Sequence, residues 1–255
     1  MLVEERRQEI IKLVNKKNSV RVSELSNIFS VTKETIRKDL ELLEQEGKLL
    51  RSHGGALRTS RSDNEEIPYT KREIMNAGEK EKIARLAAKQ IAVKDTIILD
   101  ASTTAWNLAK FLPNQELTVI TNSIRVATEL STKDNIQVIS TGGHLSAKTL
   151  SYIGDLASRV LDLYHVNKAF ISCKAFHLER GMSESSDEQA RIKEKMIENS
   201  DELYLMVDHS KFGNQAFSRF SRSKNVDYLI TDDGIEEKVK NQLHTKSLKL
   251  LIAKN

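Results

Sequence analysis

The sequence predicts a small winged helix-turn-helix domain followed by an α/β domain with a mainly parallel sheet. Residues 32–56 show the pattern of an amphipathic helix followed by a glycine-containing turn between two short apolar segments. From Thr96 onward, short apolar segments alternate with helical stretches, as they do in parallel α/β sheets. A chain of 255 residues is long enough for two such domains.

The helix within residues 32–56 has one apolar face and one cationic face. Thr32 can cap its first N–H groups, and Gly47 is placed to end it. Between them the apolar residues Ile36, Leu40 and Leu43 recur at helical spacing. The opposite face carries Lys33, Thr35, Arg37 and Lys38. A helix that enters the major groove of DNA needs such a face, although a run of charges more often marks a solvated surface.

The segments around this helix complete the motif. Glu5 to Lys16 predicts a first amphipathic helix, Val20–Val22 an extended segment, and Ser23 an N-cap for a second helix. Two helices leading to a third and then to a hairpin are typical of a winged helix-turn-helix. The predicted hairpin consists of Lys48–Arg51, the turn Ser52-His53-Gly54-Gly55 and Ala56–Thr59.

The distribution of charge favours a protein that binds a polyanion, and the cysteine content argues against a disulfide-bonded protein. Residues 1–61 contain 13 Lys/Arg and 9 Asp/Glu, so the formal net charge of +4 lies entirely in this segment. Such a charge agrees with contact to a polyanion. No apolar run approaches the length of a membrane span, and the single cysteine, Cys173, excludes an internal disulfide. We therefore expect a cytoplasmic protein with no membrane partner.

Polar residues separate the two predicted domains. Residues 58–74 predict a linker between domain 1–57 and domain 75–255. One helix is predicted from about Lys71 to Ile91, with Glu79-Lys80-Glu81-Lys82 on its solvent face. The predicted strands are Ile97–Asp100, Leu117–Thr121, Ile136–Ser140, Ala169–Cys173, Leu203–Val207, Tyr228–Thr231 and Leu248–Ile252. Helices are predicted near residues 104–112, 124–132, 153–164, 187–199 and 234–243.

Polar residues follow several predicted strands at their carboxyl ends, where parallel sheets bind ligands. Asp100-Ala101-Ser102-Thr103-Thr104 starts a helix and suits a phosphate or another oxyanion. An ordinary capping turn rich in Ser and Thr is the more common explanation of this feature alone. The other polar strand ends are Thr121-Asn122-Ser123, Ser140–His144 with its Gly142-Gly143 pair, and Asp208–Gly213.

Several other polar residues of the second domain have either a structural or a ligand-binding interpretation. Lys193 shares a helix face with Ala190 and Met196, so its head group either reaches solvent or points at an anionic ligand. Ser185–Glu188 predicts a capping box at the start of that helix. The six histidines show no metal-ligand spacing, and we expect no metal and no other cofactor. Cys173 is expected to be a core residue.

The chain resembles the DeoR family of bacterial transcription regulators. Over residues 6–57 the resemblance rests on Arg6-Arg7, Val22–Leu25, Val31-Thr32, Thr35–Leu40, Leu43, Gly47 and Arg51–Ala56. Over about residues 75–233 it rests on Asp100, Thr103-Thr104, Thr121-Asn122, Gly142-Gly143, Gly154, Arg180-Gly181, Glu188, Lys193, Asp208 and Ser210–Gly213. The sequence departs from the family at Ala101-Ser102, where Ser-Gly is common.

This resemblance implies a DNA-binding regulator with a sensor domain that is related to sugar-phosphate isomerases and binds a phosphorylated sugar. The expected DNA-binding residues are Ser23, Thr32, Lys33, Thr35, Arg37, Lys38, Arg51, Ser52 and His53. The expected effector-binding residues are Asp100, Ser102, Thr103, Thr104, Thr121, Asn122, Gly142, Gly143, Glu188, Lys193, Asp208 and Lys211. Among them, Ser102, Thr103 and Thr104 would hold phosphate, and Asp100, Lys193, Asp208 and Lys211 would bind hydroxyls or charge.

The function that we expect is a repressor of a sugar catabolism operon that binds double-stranded operator DNA as a homo-oligomer. The alternative is an isomerase-type enzyme with an accessory DNA-binding domain. Asp208 and Lys193 in one pocket could move protons, so this alternative is chemically sensible. A complete winged helix-turn-helix favours the regulator.

Overall fold

The computed structural model describes residues 3–17, 19–45, 48–52, 54–58, 66–244 and 248–254. The chain divides into two compact units, Met1–Ser62 and Asp63–Asn255, and each is described by itself. Gly47, His53 and residues 59–65 of the predicted linker lie outside the described residues. Within the described ranges, no helix has the length and apolar character needed to cross a membrane.

The first unit is a winged helix-turn-helix, as the sequence predicts. Its elements are α1 (Val3–Lys17), β1 (Ser19–Arg21), α2 (Val22–Phe29), α3 (Lys33–Gln45), β2 (Leu49–Ser52) and β3 (Gly55–Arg58). The three strands form an antiparallel sheet in the order β1-β3-β2. The N–H of Thr35 donates to Thr32 Oγ1 at 3.2 Å, so Thr32 caps α3 as predicted. The N-cap prediction for Ser23 is wrong, because α2 begins at Val22, with Arg21 at the N-cap position and no side-chain cap bond.

An ion pair holds α1 against α3 beside the apolar core. Ile10, Leu25 and Ile36 are fully buried in that core. Asp39 on α3 is also buried, and its two carboxylate oxygens accept from Arg6 Nε at 2.7 Å and from Arg7 Nε at 3.0 Å. A buried carboxylate is stable when it is paired and hydrogen-bonded in this way. The two arginines therefore contribute to the packing of the unit.

Replacing Asp39 with Asn should lower the free energy of unfolding of the first unit by about 3 kcal/mol, because the buried Arg6 would lose its charged partner. Urea denaturation of the full chain, monitored by circular dichroism, measures this change. Glu34→Gln on the same helix is the matched control, since Glu34 forms an exposed pair with Arg37 at 3.1 Å that should contribute less than about 0.5 kcal/mol. Equal losses in the two variants would contradict the assignment.

The second unit is built on a parallel sheet of seven strands. Its helices are α4 (Tyr69–Ile74), α5 (Ala77–Ala88), α6 (Thr103–Phe111), α7 (Ile124–Leu130), α8 (Asp155–Leu161), α9 (Asp187–Glu198) and α10 (Glu237–His244). Its strands are β4 (Thr96–Leu99), β5 (Leu117–Thr121), β6 (Ile136–Ser140), β7 (His144–Ser146), β8 (Ser151–Ile153), β9 (Val166–Ile171), β10 (Ala175–His177), β11 (Gly181–Glu184), β12 (Ser200–Met206), β13 (Ser218–Ser221), β14 (Tyr228–Asp232) and β15 (Lys249–Ala253).

The order of strands in the main sheet is β15-β14-β12-β9-β4-β5-β6, and every neighbouring pair is parallel. Alternate residues of one strand enter different cores: Ile98 packs in one, and Ile97 and Leu99 pack in the other. The chain proceeds from β4 through β5 to β6 in one direction, whereas β9, β12, β14 and β15 extend the sheet in the other. The strand order therefore reverses between β4 and β9, which is where such sheets bind ligands.

The structure corrects the prediction of one helix from Lys71 to Ile91. Helix α4 ends at Ile74, Met75 is extended, and Asn76 adopts a left-handed φ of 50° before α5 begins. Asparagine tolerates this backbone conformation better than most residues. Because a new helix begins at Ala77, Lys80 lies in its early turns and is buried. Its predicted place on the solvent face is wrong.

Two small antiparallel sheets, which the sequence analysis did not predict, lie beside the main sheet. Strands β7 and β8 form a hairpin, and β10, β11 and β13 form a three-stranded sheet in that order. The second sheet places Glu184, the last residue of β11, next to the start of α9. This position brings a carboxylate to the carboxyl edge of the main sheet.

Candidate functional site

A cavity of about 130 Å³ lies where the strand order reverses. This volume is enough for several water molecules. Its lining comes from the carboxyl ends of three strands and from the segment around α4. The residues from the strand ends are Ser102, Thr103 and Thr104 after β4, Ser172, Cys173 and Lys174 after β9, and Asp208 and Lys211 after β12. Glu66, Ile67, Arg72, Met75, Asn76, Lys80, Glu184 and Lys193 complete it.

Lys193 forms the most deeply buried charge cluster of this cavity. Its Nζ donates to Asp100 Oδ2 at 2.8 Å and lies 2.7 Å from Glu184 Oε1. It also donates to the carbonyl oxygen of Ser172 at 2.5 Å. Burial lowers the pKa of Lys193, but Asp100 and Glu184 outweigh burial and raise the pKa above its ordinary value. Lys193 is therefore a permanent cation that the protein's own carboxylates neutralise.

Asp100 connects the ends of the two strands between which the order reverses. Its Oδ2 accepts the N–H of Ser172 at 2.9 Å, and its Oδ1 accepts the N–H of Ser102 at 3.1 Å. The carboxylate is fully buried, and its partners Ser102, Ser172 and Lys193 all line the cavity. It therefore fixes the loop that enters α6 as well as the head group of Lys193.

The N-terminus of α6 faces the cavity with two threonines. Ser102 is the N-cap, and its hydroxyl accepts the N–H of Ala105 at 3.0 Å. Thr103 and Thr104 are the first two helical residues, and N–H groups at these positions have no partner within a helix. Together with the helix dipole, such groups attract an anion.

A second group of charges lies at the break between α4 and α5. Asp208 Oδ1 accepts from Asn76 Nδ2 at 2.9 Å and from the N–H and hydroxyl of Ser210. Lys80 Nζ donates to the carbonyl oxygen of Arg72 at 2.5 Å and to that of Met75. Burial lowers the pKa of Lys80 to about 8, and the positive charge of the nearby Lys211 acts in the same direction, against Asp208.

In the first unit, the polar face of α3 is open. Lys33, Arg37 and Lys38 are exposed, and within the described residues Arg37 forms an ion pair with the exposed Glu34. Of the remaining predicted DNA-binding residues that the structure describes, Ser23, Thr32, Arg51 and Ser52 are exposed and Thr35 is half-buried. The exposed cations of this helix, with the exposed Arg51 of the hairpin after it, are the groups that a polyanion could contact.

Comparison with known proteins identifies the family. Residues 6–62 match the family of DeoR-like helix-turn-helix domains, and residues 75–233 match the DeoR C terminal sensor domain. The chain belongs to the DeoR family of transcriptional regulators. It is 55% identical to an HTH-type transcriptional regulator of Bacillus subtilis, YulB, over 98% of this chain and 96% of that protein.

Two further relatives of this DeoR-family chain have names that state a regulatory role. The HTH-type transcriptional repressor GlcR of Bacillus subtilis is 34% identical over 91% of this chain and 89% of that protein. A putative aga operon transcriptional repressor of Escherichia coli O157:H7 is 32% identical over 91% and 87%. Among solved structures, ribose 5-phosphate isomerase A of Methanocaldococcus jannaschii aligns over 54% of this chain and 55% of that one, with 19% identity and a TM-score of 0.41. This last likeness is too distant to carry an argument.

The structure brings about half of the predicted effector residues of this DeoR-family regulator to the cavity. Asp100, Ser102, Thr103, Thr104, Lys193, Asp208 and Lys211 line it or bind a residue that does. Thr121 ends β5 and Asn122 follows it, and Gly142 and Gly143 follow β6, so these residues lie on the other side of β4 and do not line the cavity. Asn122 instead bonds to the carbonyl oxygen of Tyr152, and Glu188 is exposed on α9.

Sequence reasoning missed several residues of the cavity. Glu184 precedes the cap of α9, which is Ser186, with Gln189 as its bonding partner. The capping box predicted over Ser185–Glu188 is therefore wrong by one residue, and its return bond is absent among the described residues, where the Gln189 side chain donates to Thr149 and Ser151 instead. A charged residue two positions before the cap was the signal that could have indicated Glu184. Lys80 and Asn76 gave no such signal, because the helix break that orients them depends on a left-handed backbone at Asn76. Around the cavity and elsewhere in the described residues, no His, Cys, Asp and Glu cluster could hold a metal ion.

Replacing Lys193 with Met should lower the free energy of unfolding of the second unit by about 3 kcal/mol, because two buried carboxylates would lose their shared cation. Thermal or urea unfolding of the full chain measures the loss. Lys195→Met is the matched control on the same helix, since Lys195 pairs with Asp162 and Glu198 at the surface. A loss in Lys193→Met no greater than in this control would show that the cluster does not stabilise the unit.

Proposed function

We propose that this DeoR-family regulator is a repressor of a sugar catabolism operon, and that a phosphorylated sugar bound in the cavity controls its affinity for operator DNA. The observation that carries the proposal is the chemistry of the cavity. Carboxylates that can accept hydrogen bonds from sugar hydroxyls and cations that attract phosphate line the same cavity, together with the N-terminus of α6. The names of the two repressors among the relatives support the same role.

In this proposal, α3 enters the major groove of the operator. Its exposed cations suit phosphate contacts, and residues near its N-terminus are placed to reach base edges. Recognition of repeated half-sites requires at least two copies of the unit, so we further propose a homo-oligomer. Light scattering of the purified protein, alone and with operator DNA, measures the number of chains.

Arg37→Ala should weaken operator binding about tenfold or more without loss of folding, because a guanidinium contact to DNA contributes about 1–3 kcal/mol. Fluorescence anisotropy with a labelled operator at fixed salt measures the dissociation constant. Lys12→Ala serves as the control, since Lys12 is an exposed α1 residue that pairs with Glu9 at 2.7 Å. Unchanged affinity in Arg37→Ala would remove this residue from the DNA interface.

Thr103→Val should leave operator binding intact and weaken the effector about tenfold or more. Valine keeps the shape of threonine but removes the hydroxyl that would donate to a charged phosphate oxygen, a bond that contributes about 1.5–3 kcal/mol. Calorimetric titration with a panel of sugar phosphates compares the variant with the wild type. Thr132→Val, at an exposed position outside the cavity, is the control. Equal affinity of all three proteins for the sugar phosphate would show that the Thr103 hydroxyl does not bind it.

Control of operator affinity requires an effector that binds the DNA-competent and incompetent states with different affinity. Thermodynamic linkage then makes the effect reciprocal: the factor by which the effector weakens operator binding equals the factor by which operator weakens effector binding. Both factors can be measured with the full chain by anisotropy and calorimetry. Factors of one in both titrations would show that the bound sugar does not regulate DNA binding.

We also propose that the cavity binds its ligand without converting it. The chain is related along its length to transcriptional regulators, and Asp100 and Glu184 are both engaged by Lys193. Incubation of the purified protein with the sugar phosphate that it binds, followed by NMR, tests this directly. Turnover would favour the isomerase-type enzyme instead.

A further inference from the structure

We propose that Lys80 binds the anionic group of the ligand. This group replaces two backbone carbonyl oxygens as the hydrogen-bond acceptor of Lys80 Nζ. The proposal deepens the proposed function and rests on it, because Lys80 lines the same cavity. It adds a residue of α5 to the N-terminus of α6 as a binding group for the phosphate of a phosphorylated sugar. It also assigns a role to a lysine that the sequence pattern placed in solvent.

The partners of Lys80 leave its charge without a counter-ion. The residue is only 5% exposed, and its Nζ donates to the carbonyl oxygens of Arg72 and Met75. Within the part of the chain that the structure describes, it forms no ion pair with a carboxylate. Burial of an ammonium group without an opposite charge is costly, and neutral carbonyl dipoles compensate for it only in part. An anion in the cavity would supply the missing charge.

The charges around Lys80 favour an anion. Burial lowers its pKa, and of the groups that face it, Lys211 and Arg72 lower the pKa further while Asp208 and Glu79 raise it. Asp208 already accepts hydrogen bonds from Asn76 and Ser210. Lys193, the other buried lysine of the cavity, is different because it lies between two carboxylates. Of the cations near Lys80, Arg72 has a carboxylate partner in Glu66 at 3.8 Å, so the unbalanced charge that we assign to the ligand is that of Lys80 itself.

The alternative is that Lys80 only caps the C-terminal end of α4. Lys133 shows what such a cap looks like: its Nζ donates to the carbonyl oxygens of Ala109 at 2.8 Å and Leu112 at 2.6 Å, at the end of α6. Lys133 does not line the cavity. The two lysines therefore make the same kind of backbone contact, but only Lys80 can also reach a ligand.

This pair of lysines defines the experiment. Full-length wild type, Lys80→Gln and Lys133→Gln are titrated by calorimetry with inorganic phosphate, with a panel of sugar phosphates and with the same sugars without phosphate. We expect Lys80→Gln to bind the preferred sugar phosphate at least tenfold more weakly, and Lys133→Gln to bind it as the wild type does. Melting temperatures of the three proteins show whether each variant is folded.

The outcomes separate this proposal from the proposed function. Undiminished binding of the sugar phosphate by Lys80→Gln would overturn the role of Lys80 and leave the effector class intact. Wild-type protein that binds an unphosphorylated sugar as tightly as its phosphate ester, or binds no anion at all, would overturn both. A loss of binding in Lys133→Gln equal to that in Lys80→Gln would also overturn the proposal, because capping alone would then explain it.

The pH dependence of binding to the wild type gives a test that needs no variant. The pKa of Lys80 is about 8 without ligand, and a bound anion would raise it. Lys80 is therefore charged below pH 8 and becomes neutral above it, whereas a phosphate ester with a second pKa near 6 keeps its charge. Affinity for the sugar phosphate should fall about tenfold between pH 8 and pH 9.5. A constant affinity over this range would contradict the proposal.

Discussion

One buried ammonium group determines how the cavity is assembled. Lys193 comes from α9, and it binds Asp100 after β4, Glu184 at the end of β11 and the carbonyl oxygen of Ser172 after β9. Asp100 is distant in sequence from the others, 72 residues from Ser172 and 93 from Lys193. Each charge of the cluster is costly to bury by itself, so the segments are stable only together. The cluster therefore holds the β4 and β9 ends in register at the point where the strand order reverses.

The smaller unit uses the same kind of constraint. Asp39 is buried on α3, and both of its oxygens accept from arginines of α1. A domain of about 60 residues buries a limited apolar core. The ion pairs of Asp39 therefore help to fix the orientation of α1 relative to α3, because the buried carboxylate has its partners in only one arrangement of the two helices. Arg6 and Arg7 belong to the pattern that resembles the DeoR family, yet their contacts are with Asp39. A cation in a DNA-binding domain is thus not necessarily a DNA contact.

The periodicity of the sequence predicted the winged helix-turn-helix and the alternation of strands and helices, because both depend on local patterns of burial. It did not predict which strands are neighbours. Thr121 and Asn122 lie at the carboxyl end of a strand, as Asp100 does, but their strand, β5, lies on the side of β4 away from the reversal point, so they lie outside the cavity. Lys80 was misplaced for a different reason. The break at Asn76 needs a left-handed backbone, which hydrophobic spacing does not encode.

The contrast between the two buried lysines suggests how one cavity could both recognise a ligand and change its own hydrogen bonds when the ligand binds. Lys193 is already neutralised, so a ligand can exchange hydrogen bonds with its carboxylates while the cluster keeps its charge balance. Lys80 is held only by carbonyl oxygens at the end of α4 and just beyond it, and an anion would compete for the same Nζ. Those carbonyls belong to α4 and to the residue after it, and α4 is the first described helix after residues 59–65. In the proposed arrangement, a ligand that binds Lys80 would act on a part of the second unit that is close in sequence to the DNA-binding unit.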